Sequence, residues 1–285
     1  MTYVVTHRGI DFENKHSFTE SSREAFEYFL NKGFGIEFDI QITKDLVPVI
    51  SHDENISRIS EKKDSLPISE ITIDEFLKAK LPNGHTLSLV DIIEMIKSAD
   101  KSIKRLHALH LKSHNQTNDQ LNILLPFLKD IQGLPVIVFD VKPEIVRLLK
   151  KLVPGLVFAI SVAHTYDIDR YGKSVGNTLF SISDAIKYKQ LYTWAWCDEW
   201  DRSDSNGSEK NFYSNKNFDT LRNNGYKLAI VSPELHATSP KLLGGEQHPV
   251  GRSLESIVSF WNEIRAQEPD AICTDYPDIC GKIIL

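Results

Sequence analysis

The chain has 285 residues, 41% hydrophobic and 25% charged, with a formal net charge of −6. It can bury a full core and is no candidate for disorder, and so mild an acidity gives no reason to expect nucleic acid as a partner. There is no apolar run long enough to span a membrane and no secretory leader pattern, and the three cysteines (Cys197, Cys273, Cys280) lack metal-like spacing, so a cytoplasmic setting is expected.

The predicted elements alternate. "YVVTH" (3–7) reads as a strand, "SREAFEYFLNK" (22–32) as a helix stopped by Gly33, and "GIEFDIQIT" (35–43) as a second strand. A long polar stretch, 43–88, interrupts the rhythm. "SLVDIIEMIKSA" (88–99) is amphipathic, with Leu89, Ile92, Ile93 and Ile96 on one face. Strand candidates follow at 105–112, at 135–141 ("PVIVFDV", apolar almost throughout, as a strand buried on both faces should be) and at 156–162, with helices at 121–131 and 144–153 between them. "QLYTWAWC" (190–197), a polar loop at 197–216, helix 217–225, strand 226–232, an irregular stretch at 236–251, helix 254–267 and strand 270–275 complete the chain. Eight strands separated mostly by helices predict an α/β (β/α)8 TIM barrel. It is expected to form one domain over 1–285, with an insertion between strands two and three and long loops after strands six and seven. A doubly wound open sheet is the alternative, disfavoured because no glycine-rich phosphate loop follows the first strand.

Glu37 and Asp39 pose the central question. Side chains in a strand alternate, so these two acids share the face opposite Ile36, Phe38 and Ile40. On a half-exposed strand this would be ordinary amphipathic alternation; in a barrel it places two carboxylates in the mouth, where such folds build their active sites. Other strand ends supply His7 and Arg8, His52 and Asp53, then His110 and Lys112. Paired carboxylates can share a divalent cation, two histidines can exchange protons near neutral pH, and Arg8 with Lys112 can hold phosphate. The sum predicts metal-assisted attack on a phosphate ester. Taken singly, several residues have plainer uses. Trp194 and Trp196 share a face and suit barrel filling, with Trp196 also available as a substrate wall. His107 has the wrong parity for the mouth, His164 ends strand five, Asp140 is a reserve ligand, and Asp278 suits a turn or cap.

"HRG" at His7–Gly9, "IEFDIQITKDLVPVISHDENISR" at Ile36–Arg58 and "ICTDYPD" at Ile272–Asp278 together resemble the glycerophosphodiester phosphodiesterase family. The resemblance implies a metal-dependent hydrolase of glycerophosphodiester-like small molecules, with a place in lipid metabolism. It implies His7 and His52 as the catalytic pair, Glu37 and Asp39 as metal ligands and Arg8 as a phosphate contact. The family's signature at the start of the first helix fits best on Glu20, with Ser21 in place of asparagine; the competing register begins at Glu13. Two departures stand out. Where the family's third strand ends in Glu-x-Lys, this chain has His110-Leu111-Lys112, which makes His110 the expected third ligand of one divalent ion. Mg²⁺ or Ca²⁺ is expected there, with Mn²⁺ or Zn²⁺ admitted by the softer imidazole. At strand seven the family's tryptophan-threonine pair is replaced by "VSPELH", which brings Glu234 and His236 forward as candidates. Two other functions stay open: a phospholipase D-type lyase that stops at a cyclic phosphate, and a phosphate-binding barrel without catalysis.

Overall fold

A computed structural model describes residues 1–13, 18–61, 65–200, 203–204, 206–235 and 248–285. In chain order the strands are β1 (Tyr3–His7), β2 (Gly35–Ile42), β3 (Pro48–Ile50), β4 (His107–His110), β5 (Val136–Phe139), β6 (Val157–Val162), β7 (Leu179–Phe180), β8 (Trp194–Cys197), β9 (Lys227–Val231) and β10 (Ala271–Thr274). All but β3 and β7 form an eight-stranded parallel barrel, closed where β1 pairs with both β10 and β2. The helices are α1 (Arg23–Asn31), α2 (Ile73–Leu77), α3 (Leu89–Ser98), α4 (Asn118–Asp130), α5 (Pro143–Leu152), α6 (Thr165–Tyr171), α7 (Ile182–Lys187), α8 (Asn215–Asn223), α9 (Leu254–Arg265) and α10 (Pro277–Ile284). Side-chain oxygens of Ser22, Ser88, Thr117, Ser181 and Ser253 cap five of them by accepting from first-turn N–H groups.

Strand parity sorts the core into two. Ile36, Phe38, Ile40, Leu109, Val138, Ile160, Leu228 and Ile272 belong to the larger apolar cluster, which also holds the apolar helix faces. Val5, Ala108, Ile137, Phe139, Ala159, Trp194, Trp196, Ala229, Ala271 and Cys273 fill the barrel interior. Four of these are alanines, and their small side chains make room for Phe139 and the two tryptophans. Gly35 stands where β1, β2 and the start of β4 converge; a Cβ there would lie 1.8 Å from the Leu106 carbonyl oxygen, so only glycine lets the barrel close.

The predicted insertion carries β3, antiparallel to the end of β2, together with α2 and a small core of Val49, Ile56, Ile68 and Phe76. Between 162 and 190, where the sequence predicts no further element, the chain forms α6, β7 and α7. These are seven, two and six residues long, too short to display a full apolar period. The described part of the loop after β8 is anchored: Lys210 Nζ donates to both oxygens of Asp167 on α6, at 2.7 and 2.6 Å, in a fully buried pair. The stretch after β9 lies outside the described residues from 236 to 247 and takes His236 with it. Among the described residues no helix is long and apolar enough to cross a membrane. Cys197, Cys273 and Cys280 are free and buried.

His107 has the parity expected of a non-ligand. Its Nδ1 accepts from the Ile36 N–H at 3.2 Å, stitching β4 to β2. Burial, helped by the Arg105 charge, depresses its pKa from 6.5 to about 3. As pH falls below 6.5 the unfolded chain takes up a proton that the folded chain refuses, so stability falls with pH until about 3. The slope from this group is at most about 1.4 kcal/mol per pH unit. Replacing His107 with Gln should flatten the pH 6.5-to-4 limb of the urea-unfolding free energy relative to wild type; parallel limbs would show that His107 contributes nothing to it.

Candidate active site

His7, Arg8, Glu37, Asp39, His52, His110 and Lys112 come together around the ends of β1, β2 and β4. His7 is the last residue of β1, in register with Glu37. The chain then makes two successive left-handed turns, at Arg8 (φ 56°) and Gly9 (φ 73°). A Cβ at position 9 would meet the Ala25 Cβ at 2.8 Å, so glycine is required. The turn folds Arg8 back over β2: its N–H donates to the Glu37 carbonyl at 3.1 Å, its Nε lies 3.5 Å from Asp39 Oδ2, and its Nη1 reaches Glu20 Oε1 at 3.4 Å. Glu20 lies beside Arg8, and Ser21, also left-handed at φ 56°, returns an N–H to the Arg8 carbonyl at 2.7 Å.

Both histidines of the expected pair have one ring edge held by a carboxylate. His7 Nδ1 is 2.9 Å from Asp275 Oδ1, with Asp275 fully buried. His52 Nδ1 is 2.7 Å from Asp53 Oδ1. Asp53 is fixed by Arg58 Nε at 2.6 Å, and the Arg58 fork binds Glu20 through two 2.7 Å bonds. A continuous polar chain thus runs from His52 through Asp53, Arg58 and Glu20 to Arg8. Burial lowers the His52 pKa to about 4, Asp39 opposing and Arg8 assisting, so its ring is neutral near neutral pH. Hydrogen bonds from His52 and Arg58 outweigh burial and hold Asp53 well below the ordinary carboxylate range.

Glu37 and Asp39 are buried at the centre. One oxygen of each, Glu37 Oε2 and Asp39 Oδ2, lacks a hydrogen-bond partner among the described residues. Burial and repulsion from Asp39 raise the Glu37 carboxyl above its ordinary value; Asp39 is held below its own against burial, chiefly by Lys112. His110 Nδ1 lies 2.8 Å from Asp39 Oδ1, and Lys112 Nζ lies 3.3 Å from the same oxygen while donating to the His52 carbonyl. Donor atoms of Glu37, Asp39 and His110 lie within 4.8 Å of one another. Two orphaned buried carboxylate oxygens beside an imidazole suit a divalent cation, so the residues present fit the metal that the motif implies. Burial disfavours the His110 imidazolium, but Asp140 and Asp39 prevail and push its pKa to about 9.

Glu234 lies on the turn after β9 and packs against the end of β10. It is buried, accepting from Ser232 Oγ and Thr274 Oγ1 at 2.5 Å each and from the Asp275 N–H at 3.2 Å. It shapes the turn that carries Asp275, and burial raises its pKa to about 7. Trp196 fills the barrel, stacked on Phe139 at 4.3 Å, and Phe139 stacks on His110 at 4.7 Å. His164 caps α6, and Asp278 pairs with Lys32 on the outer surface. A cleft of about 470 Å³ opens beside His52, His110, Lys112 and Asp140.

The sequence reading missed Asp275 and Arg58. Asp275 continues the inward parity of Ala271 and Cys273, a signal that was available; Arg58 sits in a loop without periodicity. Replacing a buried carboxyl that folding holds protonated above its ordinary range should stabilise the apo fold. The raised Glu37 carboxyl costs stability above its ordinary value of about 4.5, where the unfolded chain sheds the proton and the folded chain keeps it. Glu37→Gln should therefore raise the melting temperature in chelator by about 2–4 °C at pH 7.5 and abolish the upward shift that added divalent metal gives wild type. A lowered midpoint in chelator would contradict this.

Residues 7–229 match the model of the glycerophosphoryl diester phosphodiesterase family. A glycerophosphodiester phosphodiesterase of Bacillus altitudinis is 39% identical over 64 residues, 22% of this chain and 24% of that protein. The chain spans about a third or less of the length of the curated relatives it matches. Among solved structures, a glycerophosphoryl diester phosphodiesterase from Parabacteroides distasonis superposes with a TM-score of 0.65 at 19% identity, covering 100% of this chain and 86% of the other. A phosphodiesterase from Oleispira antarctica, in complex with the product sn-glycerol-3-phosphate, gives a TM-score of 0.62 at 15% identity, covering 100% and 97%. At such identities the superpositions establish the barrel fold alone.

Proposed function

The chain belongs to the glycerophosphoryl diester phosphodiesterase family, and on that premise we propose that it cleaves glycerophosphodiester-like small molecules to an alcohol and glycerol phosphate. The observation that carries the reading is the pair of carboxylate-held histidines, His7 with Asp275 and His52 with Asp53, at the same barrel end as Glu37 and Asp39. The product bound in the Oleispira antarctica enzyme supports glycerol phosphate as the released monoester.

With Nδ1 engaged by a carboxylate, each histidine presents Nε2 as its working edge. In the proposed reaction a substrate hydroxyl next to the phosphate attacks phosphorus. One histidine removes the hydroxyl proton as the new P–O bond forms; the other delivers a proton to the leaving oxygen as its P–O bond breaks. The products are a free alcohol and a cyclic phosphate, which water opens to the monoester with the histidines in exchanged roles. Arg8 and Lys112 orient the phosphate and offset its charge. A divalent ion held by Glu37, Asp39 and His110 would supply positive charge at the phosphate and lower the pKa of the attacking hydroxyl.

His7→Ala and His52→Ala should each lower kcat by about 10²–10⁴-fold with KM changed far less. The double variant should be little slower than the worse single one, because the two act as a unit; losses that multiply in full would show independent roles. A phosphorus NMR time course on glycerophosphocholine with divalent metal tests the reaction itself. Accumulation of the monoester is expected. A cyclic phosphate as the only end product would indicate the lyase, and metal binding without turnover of several diesters would indicate a binding barrel.

A further inference from the structure

Asp140 follows β5 directly, and strand parity alone would turn its side chain towards the helices. It does not go there. The backbone at Asp140 is left-handed, φ 60°, a conformation that non-glycine residues adopt sparingly and that is found at functional sites. The turn swings the carboxylate over the mouth, where Oδ2 lies 2.8 Å from His110 Nε2. Oδ1 accepts from Ser161 Oγ of the neighbouring strand β6, and Gln116 Nε2 donates to the Asp140 carbonyl at 2.7 Å, so both ends of the residue are pinned. The His110 ring is held in plane by its stack on Phe139, 4.7 Å away at an interplanar angle of 16°. Its other nitrogen, Nδ1, faces Asp39 Oδ1 at 2.8 Å, and Asp39 with Glu37 and His110 makes up the candidate metal cluster.

We propose that Asp140 is the positioning residue that makes His110 a metal ligand. It accepts the Nε2 hydrogen, with Ser161 as its support, and so leaves the Nδ1 lone pair for the ion. Histidine ligands elsewhere depend on such a carboxylate behind the ring, which fixes tautomer and orientation and strengthens the donor. Asp140 also returns to the site the negative charge that an imidazole lacks relative to a carboxylate. The inference rests on the proposed metal site at Glu37, Asp39 and His110, and goes beyond it by assigning the residue on which the third ligand depends.

Direct metal binding tests it. Mn²⁺ affinity is measured by electron paramagnetic resonance and by calorimetry on the full chain as wild type, Asp140→Ala, Asp140→Asn, Ser161→Ala, His110→Ala and the His110→Ala/Asp140→Ala double variant, with chelator melting temperatures as the fold control. Asp140→Ala should weaken Mn²⁺ by about 10–100-fold. The isosteric Asp140→Asn, which still accepts the Nε2 hydrogen but lacks the charge, should fall between it and wild type, and Ser161→Ala should lose less than Asp140→Ala. In the His110→Ala background Asp140→Ala should cost nothing further. Unchanged affinity in Asp140→Ala, with wild type binding normally, would overturn the inference and leave the metal site standing. An equal loss in the His110→Ala background would overturn it too, making Asp140 a ligand or a bare charge. Failure of wild type to bind any divalent ion would remove the metal site and this inference with it.

Discussion

Two carboxylates buried side by side in a barrel mouth repel each other, and neither can be dehydrated cheaply without compensation. Much of the surrounding architecture answers that constraint. The double left-handed turn after β1 returns the Arg8 guanidinium to within 3.5 Å of Asp39. Lys112, two residues beyond β4, approaches Asp39 Oδ1 from the neighbouring strand, and His110 Nδ1 faces the same oxygen. Yet Glu37 Oε2 and Asp39 Oδ2 are still left without hydrogen-bond partners among the described residues. Three cationic or protonatable groups gather around two acids and still leave acceptors open, which is the donor set a divalent ion would take.

The central residues were legible because a strand has the simplest periodicity in protein structure. Alternation of Ile36, Phe38 and Ile40 with Glu37 and Asp39 sends one set to the helices and the other inward, as the two apolar clusters bear out. The same parity placed Lys112 beside His110 and excluded His107. It was insufficient where backbone geometry breaks the alternation: at Asp140, kept only in reserve, a left-handed residue aims its side chain at His110. It was silent on Arg58, a loop residue whose partners come from two different strand connections. For Glu234 the position just past a strand end announced a polar site, and did not reveal that the carboxylate is buried and accepts from Ser232 and Thr274. The short elements between β6 and β8 escaped because a helix of six or seven residues has too few turns to reveal which face is apolar.

His110 and Asp140 lie on adjacent strands, His110 in register with Phe139. A histidine in that position, with no acid beside it, would leave the cluster short of charge and its Nε2 without the partner seen here. With one, ring and carboxylate form a unit spanning β4, β5 and, through Ser161, β6. The site therefore departs from the expected Glu-x-Lys arrangement over three strands, and the exchange of one residue alone would not interconvert the two.

The stacked rings below His110 have a photophysical consequence. Phe139 separates the imidazole from Trp196 by a single ring, and both contacts are nearly coplanar, at 16° and 17°. The indole is buried in the barrel interior, shielded from water. A paramagnetic or coloured ion bound by His110 would stand close enough to drain its excited state. Trp196 emission would then serve as an intrinsic optical reporter of such binding, built from the same aromatic packing that holds the His110 ring in plane.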